Sequence, residues 1–214
     1  VLAEGAPLDP GPAAMPATLG APPTAQIAEA AQLIAQARNP VLITQSPEPC
    51  EGFQPLAGLA ERVALPVVEY CATRLALPTS HPMNVGRDPI PWVRDADVIV
   101  VANALVPWII EAVQPPPGCR VIGLGPDPLY RGVPMRGFPV HVSLAGGYTA
   151  ALAALDAEIV RILPPDRSFA ERRAVIASRR AEMLEAASQR ARPSGTPMTP
   201  AYVSRCLSEA SDAG

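Results

Sequence analysis

Short, almost purely aliphatic runs recur along this chain, separated by segments with helical spacing. In DADVIVVAN, five apolar residues, Val98 to Ala102, follow Asp97 without a polar interruption. A strand with one wet face would alternate, so an unbroken run predicts a strand covered on both faces. Val41–Thr44, Pro66–Tyr70, Arg120–Leu124 and Val140–Leu144 also read as strands, and Pro139 before the last suits an edge strand. Between them lie helical patterns. Ile27, Ala30, Ala31, Ile34 and Ala37 form one, stopped by Asn39-Pro40, and Leu56, Leu59, Ala60 and Val63 form a second. Trp92-Val93 and Pro107–Val113 read as short helices. Gly146–Ile162 reads as a long one, with Leu152, Leu155 and Ile159 on its apolar side. Residues 73–87, with Pro78, Pro82 and Gly86, are irregular but leave room for a further short strand.

This alternation predicts an α/β fold: a Rossmann-like, three-layer α/β/α arrangement around a six-stranded parallel sheet, with order 3-2-1-4-5-6. Right-handed crossovers then place any ligand beyond the carboxyl ends of the strands. Those ends are the turns after Thr44, Tyr70, Ala102 and Leu124.

Composition removes several function classes. The net charge of −3 offers nothing to a phosphate backbone, so no nucleic-acid partner is expected. All 17 basic residues are arginine, and the 28 prolines accompany them as a sign of a GC-rich genome. No apolar run reaches the ~20 residues of a membrane span, and no signal peptide is evident. Cys50, Cys71, Cys119 and Cys206 are too scattered for a zinc site, with only His81 and His141 to assist. They read as reduced, mostly buried thiols of a cytoplasmic protein.

The two ends differ from the middle. Residues 1–23 are proline-rich and read as a linker. After Pro164-Pro165-Asp166, Ser168 and Glu171 have capping-box spacing. Phe169, Ile176, Met183 and Ala187 make a thin apolar stripe that must dock on something, on a helix whose arginines read as a solvated face. Pro193–Pro197 breaks the pattern, and TPMTPAYVSRCLSEA starts another helix. A chain that begins at Val1 and ends within a fresh element reads as a piece of a longer protein.

Motifs for chemistry are sparse. The Gly-x-Ser-x-Gly elbow and the Walker loop are both missing. GLGPDP places Gly123 and Gly125 after a strand, but Pro126 stands where the dinucleotide fingerprint continues, so a tight loop explains it equally. Asp97 lies at the wrong edge for a ligand. Asp127 lies at the right one, where it could accept from a ribose hydroxyl or close an Asx turn. Trp108 could stack on a flat ring or simply pack. A nucleotide site, if present, would draw on Thr44, Gln45, Ser46, Asn103, Ala104, Gly123, Gly125 and Asp127. No catalytic or metal-ligating set is expected, and the missing third glycine argues against a stand-alone dehydrogenase.

Taken in order, AAQLIAQARNPVLIT, LAGLAERVALPVVEY, SHPMNVG, VRDADVIVVANALVPW and RVIGLGPDPLYRGVPMRGFPVHVSLAGG resemble the central domain of thiamine-diphosphate-dependent enzymes of the acetolactate synthase and benzoylformate decarboxylase type. The likeness covers residues 24–163. It implies that residues 1–23 link to a pyrimidine-binding domain, 164–198 form a helical linker, and 199–214 start a diphosphate-binding domain. In that family thiamine diphosphate and Mg²⁺ sit between the flanking domains of a homodimer or homotetramer. The metal motif, Gly-Asp-Gly…Asn-Asn, belongs to the third domain, and this chain has neither a Gly-Asp nor an Asn-Asn pair. The resemblance therefore implies a fragment without catalysis or thiamine diphosphate, within a parent carboligase or 2-oxo acid decarboxylase. Its role would be structural, between the two cofactor-binding domains. The alternative is an FAD- or ADP-binding module. Relatives that bind a nucleotide carry a glycine-rich turn after the first strand. Gln45, Ser46, Pro47 and Pro49 stand there instead, and prolines offer no N–H to a phosphate.

Overall fold

The computed structural model describes residues 19–45, 53–193 and 198–212. Five parallel strands form one sheet: β1 (Pro40–Thr44), β2 (Val67–Val68), β3 (Val98–Ala102), β4 (Arg120–Gly125) and β5 (Val142–Ala145), in the order β2-β1-β3-β4-β5. All five residues of β1 and all five of β3 are buried, as their unbroken apolar runs require. Leu42, Ile43, Ile99, Ile122 and Leu124 are wholly enclosed.

Three helices, α1 (Thr24–Gln36), α2 (Phe53–Val63) and α4 (Tyr148–Ile162), pack against one another as a layer. Chain direction reverses after β2, so the right-handed rule sends the later connections over the opposite face. Those connections hold one short helix, α3 (Ile90–Val93), and otherwise irregular chain. The layer expected over Pro107–Val113 is a single turn, with the Ala112 and Val113 N–H groups donating to the Ile109 carbonyl. The indole of Trp108 is instead a core group, meeting the Phe138 ring edge-on at 5.0 Å.

Six strands were expected and five are present among the described residues. The missing one is reduced to a parallel bridge between Val67 and Asn84. Val67 N–H reaches the Met83 carbonyl, Val85 N–H the Val67 carbonyl and Glu69 N–H the Gly86 carbonyl. The segment cannot extend further because Gly86 turns into positive φ (+82°). The order 3-2-1-4-5-6 is replaced accordingly by the five-strand order above.

Past α4, helix α5 (Ala170–Arg190) lies along the amino edge of the sheet, followed by α6 (Pro200–Asp212). Phe169 and Ile176 are buried, and Met183 rests on Gly86, where a Cβ would come within 2.5 Å of its sulfur. Ala187, the fourth residue of the expected stripe, is exposed. The capping box does not form: the Ser168 hydroxyl accepts from Ala170 N–H at 3.3 Å rather than from Glu171.

The arginines of α5 are not the solvated face that their spacing suggests. Arg172 donates to the carbonyls of Ala37 and Val63, which end α1 and α2. Arg173 donates to the Glu61 carbonyl in the last turn of α2. Arg179 donates to the Pro91 carbonyl (3.2 Å) and to Asp95 (2.7 Å), and Arg180 to the carbonyls of Asn84 (3.1 Å) and Thr79 (2.8 Å). In a parallel α/β unit the helices preceding the strands end at the amino edge, so unpaired carbonyls and the negative ends of helix dipoles gather there. The fork of a guanidinium satisfies two such carbonyls at once. Burial pulls the Arg172 guanidinium down to about 10, which still leaves it charged at neutral pH.

Candidate functional site

The carboxyl edge of the sheet was expected to hold any ligand, and most of the predicted site residues do gather there. Thr44 ends β1 beside Ala102 of β3. It is fully buried, and its hydroxyl has no hydrogen-bond partner. Gln45 turns across the gap between β1 and β3. Its Nε2 donates to the Val106 carbonyl at 2.8 Å, and its Oε1 accepts from Val106 N–H at 3.4 Å. Both ends of the amide are thus engaged by the chain's own backbone. Ser46, with the prolines that follow it, lies outside the described residues.

Asn103 leaves β3 at positive φ (+48°), a conformation asparagine tolerates better than most residues, and donates its N–H to the Leu124 carbonyl at 3.0 Å. Its side chain covers Gly125, which sits at φ +142°; a Cβ there would overlap Asn103 Oδ1. Gly123 is covered in the same manner by its own loop, because a Cβ would lie 2.9 Å from Pro128 Cβ and 3.1 Å from Val140 Cγ1. Both glycines of the Gly-x-Gly are therefore needed for chain-on-chain approach. Ala104 is buried, and its carbonyl accepts from Arg136 at 3.4 Å. Asp127 accepts from Arg131 N–H at 2.9 Å, so its carboxylate closes a turn, though onto the residue four positions on rather than two.

Sequence reasoning missed Arg136. It crosses from the β4–β5 connection to donate to the Leu105 (3.1 Å) and Ala104 carbonyls, with its guanidinium over the Tyr130 and Phe138 rings at 4.7 and 5.3 Å. Burial lowers its pKa and raises that of Tyr130. An arginine within a Gly/Pro-rich loop gives no periodic signal, and only the neighbouring aromatics hint at a stacking role.

Glu69 was missed as well. It is 2% exposed, and its Oε1 accepts from Ala76 N–H at 2.7 Å and Leu77 N–H at 3.0 Å. Buried Asn84 ties the same loop, donating to the Leu77 carbonyl and accepting from Gly86 N–H. Together they fold the loop leaving β2.

The remaining polar candidates are tied to the fold. Asp97 accepts from the N–H groups of Arg38 (2.6 Å) and Asn39 (3.0 Å) at the amino edge, as its place before the strand suggested. His81 accepts from Met83 N–H and faces Glu61, while His141 exchanges bonds with the Val121 backbone. Among the described residues no three His, Cys, Asp or Glu side chains gather as a metal site. The cysteines depart from the expectation of mostly buried thiols. Cys71 and Cys206 are exposed, and only Cys119 of the described three is buried, its thiol pushed up to about 11 by burial. No helix among the described residues is long and apolar enough to cross a membrane.

The lone Thr44 hydroxyl yields a direct expectation. Thr44→Val keeps the shape and removes an unpaired buried polar atom, so chemical denaturation should show a gain of about 1 kcal/mol. A loss of that size would mean that the hydroxyl is satisfied in solution.

No protein-family profile matches the chain, and no curated protein matches it. Solved structures do. The chain is similar to an enzyme from Mycobacterium smegmatis provisionally described as thiamin diphosphate-dependent, with 26% identity, TM-score 0.55, and coverage of 75% of this chain and 32% of that one. It is also similar to benzoylformate decarboxylase from Polynucleobacter necessarius, with 23% identity, TM-score 0.49, and coverage of 72% and 30%. The chain thus spans about a third of the length of these neighbours.

Proposed function

We propose that this chain is the central, non-catalytic domain of a thiamine-diphosphate-dependent enzyme of the acetolactate-synthase-like type, and that it holds the two cofactor-binding domains in position. The partial coverage of the Mycobacterium smegmatis enzyme supports a domain of a larger protein. The parent would be a cytoplasmic carboligase or 2-oxo acid decarboxylase, assembled as a homodimer or homotetramer, with thiamine diphosphate and Mg²⁺ held by the flanking domains. This chain lacks the Gly-Asp and Asn-Asn pairs for that cofactor. Residues 24–163 would form the domain proper. Residues 1–23 and 164–198 would connect it to its neighbours, and 199–214 would begin the next domain.

One observation carries the structural reading over the nucleotide-binding one. A diphosphate needs close approach to backbone N–H groups at glycines. Here Asn103 covers Gly125 and Pro128 covers Gly123, so the space is filled by the chain itself. The Gln45–Val106 pairing closes the neighbouring gap between β1 and β3. These contacts do not fit FAD or ADP. The unpartnered Thr44 hydroxyl is the one feature that favours a nucleotide module.

Titration separates the two. The purified chain should be colourless, and FAD, ADP and coenzyme A at millimolar concentration should leave its melting temperature unchanged. A saturable rise with FAD or ADP, abolished by Thr44→Val, would establish the nucleotide module instead.

A further inference from the structure

A cavity of about 640 Å³ lies at the opposite, amino edge of the sheet, between α5 and the end of α1. Its volume is in the range that holds small ligands. Its charged lining is unequal: four arginines, Arg38, Arg167, Arg172 and Arg179, line it with two acids, Asp95 and Glu171. Asp95 is already paired with Arg179. Arg172 is committed to the carbonyls of Ala37 and Val63, so its positive charge is held in the wall without an acid partner. Arg167 and Arg172 both lie against the Phe169 ring, at 5.1 and 4.7 Å, which brings two like charges to one side chain. That proximity, with Arg173 adding to it, is one of the influences that lower the Arg172 pKa. Asp97, which also accepts from the N–H groups of Arg38 and Asn39, offsets part of the Arg172 charge from behind the wall. With Asp97 counted, four arginines still meet only three carboxylates, so the cavity keeps an excess of positive charge.

We infer that this cavity binds a small multivalent oxyanion, held by Arg38 and Arg167 with Arg172 as a fixed charge in the wall. Guanidiniums recognise such groups through paired, parallel N–H donors, and Arg38 and Arg167 hold no carboxylate among the described residues. Aromatic stacking on Phe169 limits the freedom of Arg167, which lowers the cost of ordering it on a ligand. The site is distinct from the carboxyl-edge crevice, so it stands whether or not the chain is a domain of the proposed parent.

The test uses the full chain, with inorganic pyrophosphate as the probe and potassium chloride at matched ionic strength as the control. Pyrophosphate should raise the melting temperature saturably, by about 5–10 °C at a hundredfold excess over Kd. The Arg38→Gln/Arg167→Gln double variant should keep the basal melting temperature to within a few degrees and lose the response. An equal shift with chloride, or an undiminished response in the double variant, would overturn the site. Should the double variant not fold, the arginine Nε–Hε resonances of the unmodified chain decide. Saturable shifts at Arg38 and Arg167 support the site, and shifts confined to other arginines refute it. Inorganic phosphate run in parallel reports how many charges the cavity needs: a response to pyrophosphate alone supports a multivalent ligand, and equal affinity for both overturns that part of the inference.

Discussion

Glu69→Ala is expected to lower the unfolding free energy by about 3 kcal/mol. The side chain is enclosed, and one of its oxygens receives both the Ala76 and Leu77 N–H groups. Truncation orphans two buried donors where water cannot readily replace the lost acceptor, and leaves a small cavity. Against a typical total of about 5–15 kcal/mol this is a large fraction. Glu69→Gln keeps a carbonyl oxygen in the same place and should recover most of the loss. Urea melts of the two variants, with amide exchange read at Ala76 and Leu77, separate the contributions. Equal destabilisation by Ala and Gln would show that the acceptor geometry is not what matters.

Gly125→Ala should cost a comparable amount, about 3 kcal/mol, from two separable sources. At φ +142° the backbone occupies a region that L residues avoid, and the new Cβ would overlap the Asn103 side chain. Asn103→Gly removes the overlap while leaving the backbone strain. The double variant Gly125→Ala/Asn103→Gly should therefore be more stable than the sum of the single changes by about 1 kcal/mol. Additive losses would show that Asn103 does not sit on the glycine in solution. The same cycle bears on function, since a Gly125 freed from Asn103 regains the approach a phosphate would use.

Much of the fold was legible because parallel strands buried on both faces leave an unbroken aliphatic run, as at Val98–Ala102. The sixth strand was misread because its pairing is made almost wholly through backbone groups around Asn84, with no alternating or continuous apolar signal. Pro107–Val113 carries apolar residues at helical spacing, yet a buried indole and the Pro115–Pro117 run just beyond its end settle it as a turn. The candidate residues were placed at the carboxyl edge of the sheet by topology alone. Its occupancy by Asn103, Pro128 and Arg136 was not visible, because nothing in a sequence states that a side chain from one loop will cover a glycine in another. The arginines of α5 were read as surface for a related reason. Charge at helical spacing looks solvated until the carbonyls that receive it are known.

Those carbonyl contacts also bear on the order in which the chain assembles. The bonds from α5 join groups between 84 and 135 residues apart, so each must wait for α1, α2 and the loops before β3 to reach their places. Contacts that close such long loops, and that dock on an edge the sheet must first form, are expected to fall on the late side of the folding barrier. Interactions absent from the transition state set the rate of escape from the native basin rather than the rate of entry. Helix α5 is thus expected to act on lifetime: Arg172→Gln should speed unfolding far more than it slows folding, and stopped-flow rates showing the reverse would place α5 in the folding nucleus.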